Sequence, residues 1–140
     1  MDTQRSYSLG QEFAEALHAV DRHEAGAIEQ MVARFSPEAR LTNAALKQAH
    51  EERVGTDGVR AFWEAYQATF KEAQTEFFEL TSSESAAGLF WTTRATNGRG
   101  EQLSYDGATL LCFGEDGKIA LMRGYFDTRE LSLTVGGGSD

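Results

Sequence analysis

Apolar positions recur with a helical period through the first half of the chain. Between Gln11 and Val20, the residues Phe13, Leu17 and Val20 fall at i, i+4 and i+7, and Ile28, Met31, Val32 and Phe35 repeat similar spacing after Gly26. This predicts two amphipathic helices with a short break between them. Pro37 and its polar neighbours are expected to end the second helix, and Arg40 to Thr42 reads as a short strand. The stretch Ala44 to Glu52, inside the segment Asn43 to Gly55, fits a helix or a long loop. A third helix is clearer. Thr56 can cap it, and Val59, Phe62, Trp63, Tyr66 and Phe70 follow at i, i+3, i+4, i+7 and i+11. Its aromatic face suits core packing and can also line a ligand cavity.

The second half changes period. Glu76 to Thr81, Ala86 to Thr96, Gln102 to Phe113 and Lys118 to Thr128 are rich in β-branched, aromatic and aliphatic residues. The runs Asn97-Gly98-Arg99-Gly100 and Gly114-Glu115-Asp116-Gly117 punctuate them as hairpin turns. Helices followed by an antiparallel meander predict an α+β domain with helices on one face of a curved sheet. The glycine-rich stretch from Val135 to Asp140 is expected to be a mobile tail without chemistry.

Pairing Phe113 with Lys118, and Thr96 with Glu101, sets the expected registers. Leu111 then faces Ala120, Thr109 faces Met122, Gly107 faces Gly124, Tyr105 faces Phe126, and Arg94 faces Leu103. Alternation places Phe90, Thr92, Arg94, Thr96, Leu103, Tyr105, Gly107, Thr109, Leu111, Met122, Gly124 and Phe126 on one face. The other face collects Leu89, Trp91, Thr93, Asp106, Leu110, Cys112, Leu121, Arg123, Tyr125 and Asp127. A β-bulge would exchange part of this assignment.

Opposed glycines at 107 and 124 leave room under a covering helix. That room can be a small-molecule cavity, or it can serve sheet curvature or accept Trp63 or Phe62. Arg94 has no acid on its expected face. It can bind a ligand oxygen, pair with an acid from elsewhere, or reach past the rim into water. On the other face, Asp106, Arg123, Tyr125 and Asp127 form a polar cluster beside Trp91, Leu89, Leu110 and Leu121. A partner subunit is the expected cover for so much apolar surface.

Composition narrows the function classes. At 140 residues the chain fits one domain, and 41% hydrophobic residues can build its core. Thirteen Lys plus Arg against 22 Asp plus Glu give a net charge of −9, which disfavours nucleic acids and anionic membrane surfaces. No apolar run is long enough to span a bilayer, and the N-terminus lacks a basic-then-apolar signal pattern, so a cytoplasmic protein is expected. Cys112 is the single cysteine, which excludes an internal disulfide and reads as a core or interface residue. His18, His23 and His50 are the three histidines, and His50-Glu51-Glu52 lacks the second histidine of a helical zinc site. His18 and His23 read as solvated or helix-packing residues. No metal and no cofactor are expected, since phosphate-loop, dinucleotide and serine-elbow motifs have no match.

The order of helices and meander, closing on Phe113-Gly114-Glu115-Asp116-Gly117-Lys118-Ile119 and Arg123-Gly124-Tyr125-Phe126-Asp127-Thr128, resembles the nuclear transport factor 2-like superfamily. It is most similar to the SnoaL-like branch, over about Phe13 to Leu131, with residues 1–131 as the domain and 132–140 as the tail. The resemblance implies a cone-shaped fold around a deep pocket, in a homodimer packed sheet on sheet. Compared with limonene epoxide hydrolases, which look similar in the last strand, Arg94 falls at the site arginine. Thr96 and Gly124 stand in place of the two aspartates, which argues against epoxide opening. Compared with ketosteroid isomerases, Ala16, Asn43 and Thr109 replace the oxyanion tyrosine, the base and the oxyanion aspartate, so that mechanism has no base here.

The resemblance thus implies a small-molecule-binding protein with an apolar pocket, acting as an acid–base isomerase or cyclase on a polycyclic or terpenoid carbonyl compound. The alternatives are a non-catalytic ligand carrier and a dimeric interaction module. Expected catalytic residues are Arg94 and Tyr105, to polarise a carbonyl, with His50 or the neighbouring Glu51 to move a proton. Expected ligand contacts are Asn43, Trp63, Phe90, Thr96, Gly107, Thr109, Met122, Gly124 and Phe126.

Overall fold

A computed structural model describes residues 2–128, and the expected tail lies outside them. The elements run α1 (Thr3–Asp21), α2 (Ala27–Val32), β1 (Phe35–Asn43), α3 (Ala44–Gln48), β2 (Arg53–Val54), α4 (Gly55–Thr69), β3 (Phe70–Ser82), β4 (Ala86–Asn97), β5 (Gln102–Phe113) and β6 (Ile119–Phe126). One six-stranded sheet has the order β2-β1-β6-β5-β4-β3. Pairing is antiparallel except for the parallel β1 and β6. Helix α1 packs on β3 and β4 while α4 packs on β1 and α2, so the helices cover the inner face of a curled sheet.

Local chemistry explains the helix ends. Asp2 caps α1 by accepting the Arg5 backbone N–H at 2.8 Å, and the stripe of Phe13, Leu17 and Val20 is buried as its period predicts. Each such side chain contributes about 1.5–3 kcal/mol by leaving water. Asn43 caps α3, its Oδ1 accepting the Leu46 N–H at 2.8 Å, so the undecided segment 44–52 resolves into a short helix and a turn. The α4 cap position is Val54, without a side-chain bond, and Thr56 lies inside the first turn.

Two boundaries differ from the periodic reading. Phe35 opens β1 instead of closing α2, and Pro37 lies within that strand at an irregularity between the pairs Phe35–Ile119 and Arg40–Leu121. There its missing N–H interrupts no regular ladder. Phe70 likewise keeps the aromatic spacing of α4 but is the first residue of β3, which starts six residues before the expected Glu76.

The register of β4 on β5 departs from expectation by one residue. Asn97 N–H donates to the Glu101 carbonyl at 3.0 Å and Gly100 N–H to the Asn97 carbonyl at 3.0 Å, with Gly100 at φ +82°. The loop is therefore three residues, 98–100, and the left-handed position is filled by glycine. Thr96 pairs with Gln102, Thr93 with Tyr105 and Trp91 with Gly107. A one-residue slip reverses every side chain of a strand. Leu89, Trp91, Thr93 and Ala95 turn inward, while Phe90, Thr92, Arg94 and Thr96 turn outward.

Between β5 and β6 the slip is two residues, absorbed by an irregularity at Cys112 and Phe113, so the inner set survives. Thr109 pairs with Gly124 and Gly107 with Phe126, which means the two glycines are not opposed. Gly107 instead accepts the Trp91 ring. A Cβ there would lie 2.4 Å from a Trp91 ring carbon and 2.6 Å from the Tyr125 carbonyl oxygen. Gly107→Ala is expected to destabilise the fold by about 1–3 kcal/mol in urea denaturation, since part of the clash is with backbone. A variant as stable as the parent contradicts this register.

Candidate functional site

The inner face of the sheet and helices α1 and α4 enclose a cavity of about 50 Å³. Phe13 and Leu17 reach it from α1, and Phe62, Trp63 and Tyr66 from α4. The sheet supplies Asn43, Trp91, Thr93, Tyr105, Thr109, Met122, Gly124 and Phe126. Aromatic packing keeps it small. Trp63 meets Phe62 edge-on at 4.9 Å and Tyr66 at 5.4 Å, while Tyr105 meets Trp91 edge-on at 5.5 Å and stacks on Phe70 at 6.3 Å.

The polar atoms on this wall have unequal partners. Trp91 donates its Nε1–H to Thr109 Oγ1 at 2.9 Å. Trp63 is 2% exposed, and its Nε1 has no hydrogen-bond partner among the described residues. A buried donor left unmatched costs about 1–3 kcal/mol.

Behind the wall stands a carboxylate. Asp21, at the end of α1, is 5% exposed and accepts the Tyr66 hydroxyl at 2.7 Å and the Thr75 hydroxyl at 2.7 Å. Thr75 is bonded to Thr93 at 2.9 Å. Burial raises the Asp21 pKa above the usual carboxylate range, opposed by the two hydroxyls and by His18 and His23. Burial and the Asp21 charge in turn hold the Tyr66 phenol well above its ordinary value, and Tyr105 is raised for the same two reasons. His18 Nε2 donates to the Thr75 carbonyl at 3.0 Å and His23 Nε2 to the Phe70 carbonyl at 3.2 Å, tying α1 to β3.

The SnoaL-like domain family matches residues 11–122. The chain belongs to the SnoaL-like domain family. An "NTF2-like protein of unknown function" from Exiguobacterium sp. 255-15 superposes with a TM-score of 0.66 over 89% of this chain and 96% of that one, at 16% identity. No curated protein matches in sequence. Fold and family are thereby shown, and the SnoaL-like domain has the helices-on-curled-sheet architecture its sequence implied.

The SnoaL-like domain brings only part of the expected site together. Asn43, Trp63, Tyr105, Thr109, Met122, Gly124 and Phe126 line the cavity. Arg94 does not. It is exposed, pairs with Gln74 and Ser104, and borders an outer groove with Glu76 and Phe78, so it cannot meet Tyr105 over one ligand. Phe90 and Thr96 share its outward direction, and Gly107 lies beneath Trp91.

His50, at φ 58°, borders a surface groove with Glu51, Arg123 and Asp127 instead of the cavity. That groove shares Asn43, Gly124 and Phe126 with the cavity. Trp91, Leu89 and Thr93, expected on the outer face, are buried inside. Among the described residues no group of three His, Cys, Asp or Glu could hold a metal ion, and no helix is long and apolar enough to cross a membrane.

Hydrophobic period alone does not single out Asp21, the Tyr66 hydroxyl or Thr75. The signal was present. Asp21 falls four residues after Leu17 and eight after Phe13, on the apolar stripe of α1. A carboxylate there is buried, and a raised pKa makes it favour the fold more as pH falls. The stability of the parent relative to Asp21→Asn is therefore expected to increase as pH is lowered from neutrality toward the ordinary aspartate value of 3.8. Chemical denaturation of both proteins across that range measures it, and a constant or opposite difference contradicts the assignment.

Proposed function

We propose that this SnoaL-like domain binds a small, mostly apolar compound carrying an oxygen acceptor, and that it acts as a binding protein through its aromatic cavity. The observation that supports this reading is the aromatic-lined cavity, one of whose wall residues, Trp63, keeps a buried Nε1–H without a partner among the described residues. An acceptor atom placed there recovers the cost of that donor. Catalysis on a polycyclic or terpenoid carbonyl fits less well. Pockets for drug-sized ligands run to about 300–1,000 Å³, and such a substrate would need Trp63, Phe62 and Phe126 to move aside. The acid–base trio of Arg94, Tyr105 and His50 also surrounds no common space.

Trp63→Phe tests the proposal because it keeps an aromatic ring and removes the N–H. Without ligand the variant is expected to be at least as stable as the parent, since an unsatisfied donor has gone. Native mass spectrometry of protein purified from cells, followed by identification of what denaturation releases, should find a small carbonyl or hydroxyl compound. The variant should retain about fivefold less of it. Equal retention, or an empty parent that takes up no small oxygen compound, contradicts the reading.

A second copy of the chain is the proposed cover for the outer sheet face. Phe90 and Tyr125 are 37% and 49% exposed there, beside the half-buried Leu110, Cys112 and Leu121. Asp106 and Arg123 stand on adjacent strands of the same face, so a two-fold axis can pair each with its opposite in the other copy. Sedimentation is expected to show a dimer at micromolar concentration that Tyr125→Asp dissociates. A monomeric parent removes this part of the proposal.

A further inference from the structure

Two polar side chains flank a glycine on the inner face of the sheet, and both keep a donor unspent. Asn43 on β1 pairs with Gly124 on β6, and Gly124 pairs with Thr109 on β5. All three residues line the cavity. A Cβ on Gly124 would lie 3.2 Å from the Asn43 Cβ, closer than side chains normally pack, so the glycine keeps the space beside Asn43 open.

The cap of α3 decides which end of the Asn43 amide is left over. Its Oδ1 accepts the Leu46 N–H at 2.8 Å, so the nitrogen is the remaining end, and it donates to no group among the described residues. Asn43 is 5% exposed. Among the described residues, Trp63 Nε1 is the one buried side-chain nitrogen or oxygen that lacks a partner and is also closed to water. The Asn43 nitrogen lacks a partner too, and so it is open to water. The spaces that Asn43 borders are the cavity and the groove along α3, which share Gly124 and Phe126 as well. The amide hydrogens are therefore reached where cavity and groove meet. Thr109 stands across the glycine from them. Its oxygen accepts the Trp91 Nε1–H, and its own hydrogen enters no bond among the described residues.

We infer that the junction over Gly124 takes the carboxylate of a small organic acid whose apolar end lies in the cavity. The inference rests on the cavity being the binding site and names the polar end of its ligand. Asn43 and Thr109 have each used an acceptor and kept a donor, which favours a group that only accepts. A carboxylate does so with two oxygens and forms the stronger, charge-assisted bonds. The adjoining groove tolerates its charge. There Arg40, Lys47 and Arg123 balance Glu51, Glu52 and Asp127, although the whole chain carries a net charge of −9. Glu52 and Glu51 are already bridged to Arg40 and Arg53, and His50 adds positive charge when protonated.

Butanoate, butan-1-ol and butan-1-amine, matched in chain length, serve as probes at neutral pH. Net charge alone would favour the amine on so acidic a protein. The junction favours butanoate instead, by about fivefold or more over the alcohol. In proton–nitrogen correlation NMR the Asn43 side-chain amide and the Gly124 backbone amide are expected to shift as butanoate is titrated. Asn43→Asp keeps an oxygen to cap α3 but replaces the donating nitrogen by a second oxygen. This variant should bind butanoate about tenfold more weakly and should prefer the amine.

If none of the three probes moves the Trp63, Asn43 or Gly124 signals, the cavity-binding reading fails and this inference with it. The inference alone is overturned if the alcohol or the amine binds there as tightly as butanoate, or if Asn43→Asp keeps the parent's affinity for butanoate. Butanoate that shifts Lys47 and Arg123 but leaves Asn43 and Gly124 unmoved overturns it too. Should Asn43→Asp not fold, Asn43→Ser decides, because serine also caps a helix but carries no amide. Butanoate bound about fivefold more weakly by that variant supports the inference, and binding equal to the parent's overturns it.

Discussion

The hydrogen bonds that close the β4–β5 hairpin leave a loop of three residues, and the left-handed Gly100 lets that loop fit the twist of the two strands. Asn97 reinforces it, its side-chain oxygen accepting the N–H groups of Arg99 at 2.9 Å and Glu101 at 3.0 Å. Because side chains alternate across a sheet, this closure decides which half of β4 meets the helices. Trp91, Thr93 and Ala95 go inside. The Trp91 ring fills the space over Gly107, its N–H meets Thr109, and its face supports Tyr105. A four-residue loop would carry Arg94 inward and turn Thr93 out.

Thr93 is where this register meets the one carboxylate on the inner side of α1. An ionised Asp21 away from water is costly unless its oxygens are hydrogen-bonded, and Tyr66 and Thr75 supply one bond to each oxygen. Those partners come from α4 and β3, and Thr93 extends the contact to β4. The buried network therefore joins both long helices to the sheet. Apolar packing alone could hold these elements together, but it would not fix the direction of hydroxyls beside the cavity.

Much of this was legible in the residues. The stripes of α1 and α4, the hairpin signals and the strand runs place nearly every element, and the closing motifs identify the family. Boundaries went astray where two patterns overlap: Phe35 and Phe70 continue a helical spacing yet begin strands. The β5–β6 register lies two residues from the expected one; an even slip preserves the faces but separates Gly107 from Gly124. The β4–β5 register was misjudged by one. Gly98 to Gly100 contain two glycines that permit more than one loop, and the choice between a three- and a four-residue turn lies in hydrogen bonds that composition does not reveal. The expected site lost Arg94, Phe90 and Thr96 for that single reason, while Asn43, Trp63, Tyr105, Thr109, Met122, Gly124 and Phe126 kept their place.

Nuclear Overhauser contacts across β4 and β5 test this account most directly, since the register carries both the cavity wall and the hydroxyl chain. The structure predicts contacts of the Trp91 ring with Gly107 and Thr109, and backbone contacts pairing Thr93 with Tyr105. Contacts pairing Arg94 with Leu103 and Thr92 with Tyr105 would contradict it, returning the arginine to the inner face and removing Thr93 from the chain that ends at Asp21.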